Sequence, residues 1–143
     1  MPTYMVFHRE GLFSKEQEER VARAITRAHA QATGAPEYYV QVIMHAGAGS
    51  RRFVGGAPCE DQVWIRGDIR AGRTKEQLAV LLRELVRQTA EAGEISPDDV
   101  WVDLNEIRPE AIIKYQTIFP EAGKEAQWEK TLPAHVKEKW HIE

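Results

Sequence analysis

The chain has little of what several classes of protein depend on. Cys59 is the single cysteine, so no disulfide can form within the chain, and a thiol nucleophile would need a base that the sequence does not place. No apolar run exceeds a few residues and no basic segment precedes one, so we expect neither a membrane span nor a signal peptide. The simplest location for such a chain is cytoplasmic.

The chain also lacks an excess of positive charge. Lys and Arg number 19 against 22 Asp and Glu, which gives a formal net charge of −3. A chain with this balance is not attracted to nucleic acid or to acidic membranes, so we expect neither as a partner. We also predict no metal and no cofactor, because the five histidines show none of the short spacings typical of metal sites: His8, His29, His45, His135 and His141.

What the sequence does contain is an internal repeat. Ser14-Lys15-Glu16-Gln17 returns as Thr74-Lys75-Glu76-Gln77, at an offset of 60 residues. Both tetrapeptides have the form of a capping box, in which a hydroxyl accepts from a backbone amide and a Gln side chain reaches back. A helix should therefore begin at each of them.

The residues around each capping box predict the surrounding elements. Apolar residues recur every three or four positions as far as Thr33-Gly34 in the first repeat and Gly93 in the second, which is typical of amphipathic helices. Runs typical of strands flank both helices: Thr3 to Phe7, Tyr38 to Met44, Val63 to Ile69 and Val100 to Leu104. The pattern is β-α-β, twice, and a helical crossover makes each strand pair parallel.

This order of elements predicts an α+β fold of two layers, with a four-stranded mixed sheet and both helices on one face. We expect a single domain, residues 1–143, with repeat units at about 2–45 and 62–105 and a C-terminal extension at about 109–143. The breaker-rich stretch 46–58 should form a loop or hairpin. After Pro109 we expect a short helix from Glu110 to Ile118, and then a tail that packs on a neighbouring surface.

Helices on one face leave the other face of the sheet uncovered. Self-association would bury its apolar residues. The alternating apolar residues that we expect to be partly unprotected are Tyr4, Val6, Val40, Val42, Trp64, Trp101 and Leu104.

Pro2 is the first residue whose identity implies reactivity. Removal of Met1 would leave a free secondary amine at the start of a strand, where proline's missing N–H costs nothing. Such an amine carries protons well, and burial or nearby cations would lower its pKa by disfavouring the charged form. Proline at the second position is also commonplace, so Pro2 alone does not decide between a catalytic and an ordinary residue.

Three further residues are candidates for a binding site. Arg70 and Arg73 follow the third predicted strand, and two guanidinium groups at one strand end suit a carboxylate, although loop arginines are often simply solvated. His29 lies at the edge of the apolar stripe of the first helix, where a satisfied core-edge histidine is the alternative.

Six motifs are distributed over almost the whole chain: Met1-Pro2-x-Tyr4-Met5-Val6, His29 before Thr33-Gly34, Phe53-Val54-Gly55-Gly56, Arg70-x-Gly72-Arg73, Trp101-Val102 and Phe119-Pro120. In these residues and in their order, the chain resembles the cis-3-chloroacrylic acid dehalogenase-like subgroup of the tautomerase superfamily. This resemblance implies a β-α-β repeat, a homotrimer and an amino-terminal proline in a pocket formed between subunits.

The resemblance also implies roles for individual residues. Pro2 corresponds to the catalytic proline and His29 to the histidine that orients the substrate, while Arg70 and Arg73 correspond to the pair that binds the carboxylate of a small unsaturated acid. Asp103 and Lys114 stand where the dehalogenases have the tyrosine and glutamate that position and activate water. Efficient hydrolytic dehalogenation is therefore not expected. Asp103 and Glu110 are the candidates for a substitute base, and Asp103 is also a candidate substrate-binding residue.

These residues favour a keto-enol tautomerase of small 2-oxo or 2-hydroxy-dienoic acids, with Pro2 as the proton carrier. One alternative keeps the site and makes a charged Pro2 a general acid, for hydration or dehalogenation of 3-haloacrylates or acetylenic acids or for decarboxylation of a 3-oxo acid. Another is a non-catalytic trimeric sensor or interaction protein, since fold alone does not fix function.

Overall fold

The computed structural model describes residues 2–47 and 49–143. Two long helices, α1 (Lys15–Thr33) and α2 (Lys75–Gly93), pack against a four-stranded sheet. Its strands are β1 (Thr3–His8), β2 (Gln41–Ala46), β5 (Val63–Arg70) and β6 (Val100–Ile107), in the order β2-β1-β5-β6. Both crossover pairs are parallel and β1 pairs antiparallel with β5, so the predicted mixed sheet and α+β fold are confirmed.

Shorter elements complete the described chain. The glycine-rich stretch contains a hairpin, and the C-terminal extension contains a second hairpin and two short helices. They are β3 (Phe53–Val54), β4 (Ala57–Pro58), β7 (Ile113–Lys114), β8 (Thr117–Ile118), α3 (Glu125–Glu129) and α4 (Ala134–Trp140), with 3-10 turns at Glu37–Tyr39, Pro97–Asp99 and Pro109–Ala111. None of the helices in the described residues has the length and apolar character needed to cross a membrane.

Local sequence sets where both long helices begin. The Ser14 hydroxyl accepts from the Gln17 amide at 3.1 Å while the Gln17 side chain accepts from the Ser14 amide at 2.9 Å. Thr74 and Gln77 form the same pair of bonds, each at 3.0 Å. Both predicted capping boxes are therefore confirmed, and they satisfy amide groups that would otherwise lack acceptors in the first turn.

The core lies between the helices and one face of the sheet. Tyr4 and Val6 are 0% exposed because they point towards the helices, so the expectation that they lie on the uncovered face is wrong. Val40, Val42 and Leu104 also pack against this core. It consists chiefly of Tyr4, Val6, Val21, Ile25, Val63, Ile65, Ile69, Leu81 and Leu85.

The uncovered face carries the residues that alternate with these. Phe7 stacks on His45 and on Trp64, with ring centroids 4.7 and 5.1 Å apart, which forms an aromatic row across three strands. Ile43 is 38% exposed and Trp101 49% exposed beside that row. The sheet therefore does present an apolar surface, as predicted for Trp64 and Trp101.

The C-terminal extension differs from the expectation. The helix predicted from Glu110 to Ile118 is wrong, because β7 and β8 form a hairpin there, turned by Tyr115 and Gln116 with positive φ angles of 53° and 63°. The tail packs on its own chain and builds a second small core. That core contains Ala35, Tyr39, Ile112, Phe119, Trp128, Leu132 and Val136.

Candidate active site around Pro2

Pro2 lies at the head of β1 and is buried. Its carbonyl accepts a hydrogen bond from the Gln41 amide at 2.9 Å, which fixes the residue before β1 to the start of β2. Alternation along the strand places Pro2 on the same side as Tyr4, about 7 Å away along the backbone. The expected removal of Met1 concerns a residue outside those described.

A cavity of about 340 Å3 opens beside Pro2. Its walls come from the 3-10 turn before β2, from the β7–β8 hairpin and from the end of α4. The residues that line it are Pro2, Tyr38, Tyr39, Val40, Gln41, Ile113, Lys114, Tyr115 and Trp140. Among these described residues, four have aromatic rings, one is a cation and none is a carboxylate.

Lys114 is that cation. Its Nζ donates to the Tyr39 carbonyl at 3.3 Å and lies 5.5 and 5.4 Å from the ring centroids of Tyr39 and Tyr115. Burial lowers the pKa of the Lys114 ammonium. Because no carboxylate of the described residues forms an ion pair with Lys114, its charge acts on the cavity without local compensation.

His29 is held in α1 on the buried side of the helix. Its Nδ1 lies 2.7 Å from the Tyr4 hydroxyl. Burial, reinforced by the positive charge of Arg73, lowers the pKa of His29 to about 3, so the imidazole is neutral at neutral pH. Burial raises the pKa of the Tyr4 hydroxyl, which therefore keeps its proton. In the tautomer in which that hydroxyl donates to Nδ1, the imidazole carries its hydrogen on Nε2 and can donate it to a ligand oxygen.

Arg73 lies beside this pair. Its Nη1 donates to the Thr33 carbonyl at 3.0 Å, at the end of α1, and the residue is half-buried. Burial and then the charge of Arg70 lower its pKa, although the group remains a cation at neutral pH. No carboxylate of the described chain pairs with Arg73, so its remaining N–H groups can bind an anion.

Arg70 is held by the protein in a different way from Arg73. It is 3% exposed, its Nη1 donates to the Pro120 carbonyl at 2.8 Å, and its Nη2 pairs with the Glu125 carboxylate. Two of its nitrogens are thus bound to the C-terminal extension. The structure brings Arg70 close to Arg73 and His29, but of the two arginines only Arg73 makes no ion pair with a carboxylate of the described residues.

Asp103 does not join this group within one protomer. It lies on the uncovered sheet face, where its Oδ2 accepts from Trp64 Nε1 at 2.8 Å. Its register partner is Arg66, and β6 is separated from β1 by β5. A role for Asp103 at a substrate stays a prediction that requires the Pro2 site of another protomer.

Four neighbouring residues were not identified from the sequence as part of the site. Tyr4 reaches His29, Tyr38 and Trp140 stand on the wall of the cavity, and Glu125 holds Arg70. The period-2 pattern of β1 places Tyr4 on the same face as Val6, but both faces of this strand are apolar, so the pattern does not say which face meets the helices. The other three belong to contacts between distant parts of the chain, for which the sequence has no local signal.

Metal-ligating residues do not cluster in the described parts of the chain. Within residues 2–47 and 49–143, no three His, Cys, Asp or Glu side chains lie close enough together to hold an ion.

A family model and a solved structure decide the family. The Tautomerase_3 model, described as "Putative oxalocrotonate tautomerase enzyme", matches residues 1–142. A crystal structure of N1, a member of the cis-3-chloroacrylic acid dehalogenase family, is 39% identical with a TM-score of 0.91, over 97% of this chain and 98% of that one. The chain belongs to the tautomerase superfamily.

Within that superfamily, the match to N1 confirms the likeness to the cis-3-chloroacrylic acid dehalogenase-like subgroup. The R7 fused 4-OT asymmetric trimer is 25% identical with a TM-score of 0.73, over 81% of this chain and 94% of that one. The Q0 fused 4-OT symmetric trimer, at 23% identity, shares the fold with a TM-score of 0.76, over 84% and 97% of the two chains. No curated protein matches this member of the superfamily.

Proposed function

We propose that this protein is a keto-enol tautomerase of small 2-oxo or 2-hydroxy-dienoic acids and that Pro2 carries the proton. The observation on which the proposal rests is the composition of the Pro2 cavity, which combines the buried Pro2 with Lys114 and, among the described residues, contains no carboxylate. A proton carrier is all that tautomerisation requires of the protein's acid-base groups.

The reaction needs one proton to move twice. Pro2, freed by loss of Met1, takes the proton from the 2-hydroxyl of the enol as the carbonyl forms, and the enol carbon then takes that proton from the Pro2 ammonium. The amine must be neutral at the start, and burial and the uncompensated charge of Lys114 both favour the neutral form. This environment supports a base at Pro2 better than a permanently charged acid.

The other groups hold the substrate. Arg73 binds the carboxylate with its free N–H groups, and Arg70 beside it supplies further positive charge. His29, neutral and oriented by Tyr4, donates to the oxygen on which negative charge develops. A small monocarboxylate with an adjacent oxygen fits these donors, and the aromatic walls suit an apolar substituent.

Hydration and dehalogenation are supported less well. Both need a group that activates water, yet the cavity beside Pro2 contains no carboxylate among its described residues. Asp103 is the candidate substitute, and it is bonded to Trp64 on the other face of the sheet.

We infer a homotrimer as the working form. The uncovered face, with its aromatic row and the exposed Ile43 and Trp101, gives each protomer an apolar surface that self-association would bury. The fused 4-OT neighbours described above are trimers. Assembly would also bring Asp103 of one protomer towards the site of another.

The test is a pair of absorbance assays on Met-free protein, one with phenylpyruvate enol and one with cis-3-chloroacrylate. We expect Pro2→Ala to lower kcat/KM for ketonisation by about 100-fold or more, since general acid-base groups contribute that much. Pro97→Ala, which changes an exposed proline remote from the cavity, should leave the rate unchanged. Mass spectrometry of the intact protein verifies that Met1 is absent.

Each outcome separates the candidate functions. Ketonisation that depends on Pro2, with little halide release, supports the tautomerase. Halide release that depends on Pro2 supports the dehalogenase instead, with Asp103 or another group activating water. No reaction that depends on Pro2 with either compound contradicts both and favours the decarboxylase or the non-catalytic protein.

A further inference from the structure

The two arginines of the candidate site have different partners. Arg70 is buried under the C-terminal extension, with Nη1 bonded to the carbonyls of Pro120 and Glu121 at 2.8 and 3.3 Å. Its Nη2 pairs with Glu125, and its guanidinium carbon lies 5.2 Å from the ring centroid of Phe119. Arg73, by contrast, makes one bond to a backbone carbonyl and none to a carboxylate among the described residues.

One donor of Arg70 is left over. The Nε atom is buried and has no hydrogen-bond partner among the described residues. Because the guanidinium is planar, the bonds that hold Nη1 and Nη2 also fix the direction of the Nε–H group. A buried donor without an acceptor costs free energy unless a ligand or water supplies one, so this N–H is suited to an incoming oxygen.

Glu125 is well placed to keep that geometry. Its side chain is 18% exposed and belongs to α3, 55 residues after Arg70 in the chain. Burial, the largest single effect, would raise the pKa of the Glu125 carboxyl, but the hydrogen bond from Arg70, two backbone hydrogen bonds and the charge of Arg70 together outweigh burial and hold the pKa below its usual value. The carboxylate is therefore ionised at neutral pH and also offsets part of the repulsion between Arg70 and Arg73.

We propose that Glu125 is a positioning residue for the substrate carboxylate, acting through Arg70. It holds the guanidinium so that the Nε–H of Arg70 and the free N–H groups of Arg73 address the same anion. The inference rests on the proposed function for its substrate class. Its test, however, does not depend on catalytic activity, because it measures the binding of a carboxylate directly.

The experiment titrates the Met-free protein with 3-phenylpropionate, a carboxylate that cannot tautomerise, in a calorimeter. Glu125→Gln removes the charge and keeps the size, and we expect a Kd about tenfold higher, as loss of one charged hydrogen bond implies. Glu121→Gln is the matched control, because its side chain pairs with Lys124 at the surface and only its carbonyl meets Arg70. We expect wild-type affinity from that variant.

A second variant guards against misfolding of the first. Glu125→Asp keeps the charge and shortens the reach, so it should retain the wild-type melting temperature more closely and still bind 3-phenylpropionate several-fold more weakly. For enzyme that turns over, KM should rise in both Glu125 variants while kcat changes much less.

Three results would overturn the proposal. Equal affinities of the Glu125 and Glu121 variants would mean that the ion pair only ties down the extension. Tighter binding after Glu125→Gln would mean that Glu125 competes with the ligand for Arg70. No binding by the wild type would mean that there is no carboxylate subsite to position. Failure of the proposed function is a separate result, because it appears as loss of turnover with binding intact.

Discussion

The two β-α-β halves have the same architecture but contribute different groups to the site. Residues at the same place in α1 and α2 are 60 positions apart, so Ile25 corresponds to Leu85 and His29 to Thr89, and all four are buried. The first half supplies Pro2 and His29, whereas the second supplies Arg70, the last residue of β5, and Arg73 just after that strand. A repeated fold thus tolerates different chemistry at equivalent positions, provided that the buried packing is kept.

The largest expected difference between the halves is the pH dependence of stability that His29 gives to the first half. Its folded pKa of about 3 lies below the ordinary 6.5, so the unfolded chain binds more protons between these values. Stability from this group is complete above pH 6.5 and falls as the pH drops towards 3, by on the order of 4 kcal/mol. Urea unfolding measured across this pH range should show that the free energy of unfolding falls less steeply with decreasing pH in His29→Gln than in the wild type. His135→Gln, at an exposed position, is the control and should behave as the wild type. The same pH dependence of the unfolding free energy in the wild type and in His29→Gln would contradict the lowered pKa of His29.

Truncation of a core residue should destabilise the protein equally in the two halves. Ile25 and Leu85 are both 0% exposed at matched positions of α1 and α2. We expect Ile25→Ala and Leu85→Ala each to lower the free energy of unfolding by about 3 kcal/mol, because each leaves a cavity in the shared core. Denaturant melts measure both, with Leu82→Ala, at a 36% exposed position, as a control that should cost much less. A large difference between the two core variants would mean that the halves do not share one core.

The helix ends should give the smallest effect, with opposite signs. Gly34 and Glu94 occupy equivalent left-handed positions, with φ of 74° and 55°, and only glycine takes this conformation without strain. Glu94→Gly should therefore stabilise the protein by about 0.5 kcal/mol, while Gly34→Ala should destabilise it by about 1 kcal/mol. Melting temperatures that move in the same direction in both variants would rule out this explanation.

The sequence predicts structure that depends on residues close together in the chain better than structure that depends on distant contacts. The capping boxes at Ser14 and Thr74 involve residues three apart, so both helices could be predicted from local patterns. The hairpin turn at Tyr115 and Gln116 could not, because neither residue is the Gly or Asn that usually marks positive φ. Tyr38, the predicted first residue of the second strand, lies instead in the 3-10 turn Glu37–Tyr39, and the strand begins at Gln41. Packing of Tyr38 against the C-terminal tail favours the turn.

The site shows the same limit. Pro2, His29 and Arg73 could be selected by residue type and by resemblance, and the structure places His29 and Arg73 beside Tyr4. The Arg70–Glu125 pair spans 55 residues and the Tyr38–Glu129 hydrogen bond spans 91, so neither leaves a spacing that can be recognised. The wrong assignment of Tyr4 and Val6 to the uncovered face is a one-residue error of phase, which strand patterns do not resolve when both faces are apolar.

The most direct test of the account is the protonation state of Pro2 itself. In Met-free protein labelled with 15N-proline, NMR titration follows the Pro2 amine in the wild type, in Lys114→Ala and in the exposed-lysine control Lys75→Ala. The account predicts an amine that is neutral at pH 7, and a midpoint that rises by about one pH unit in Lys114→Ala only, since the nearby cation is removed. A wild-type amine that is charged at pH 7 would contradict the account, because Pro2 could then act as an acid but not as the base that tautomerisation requires.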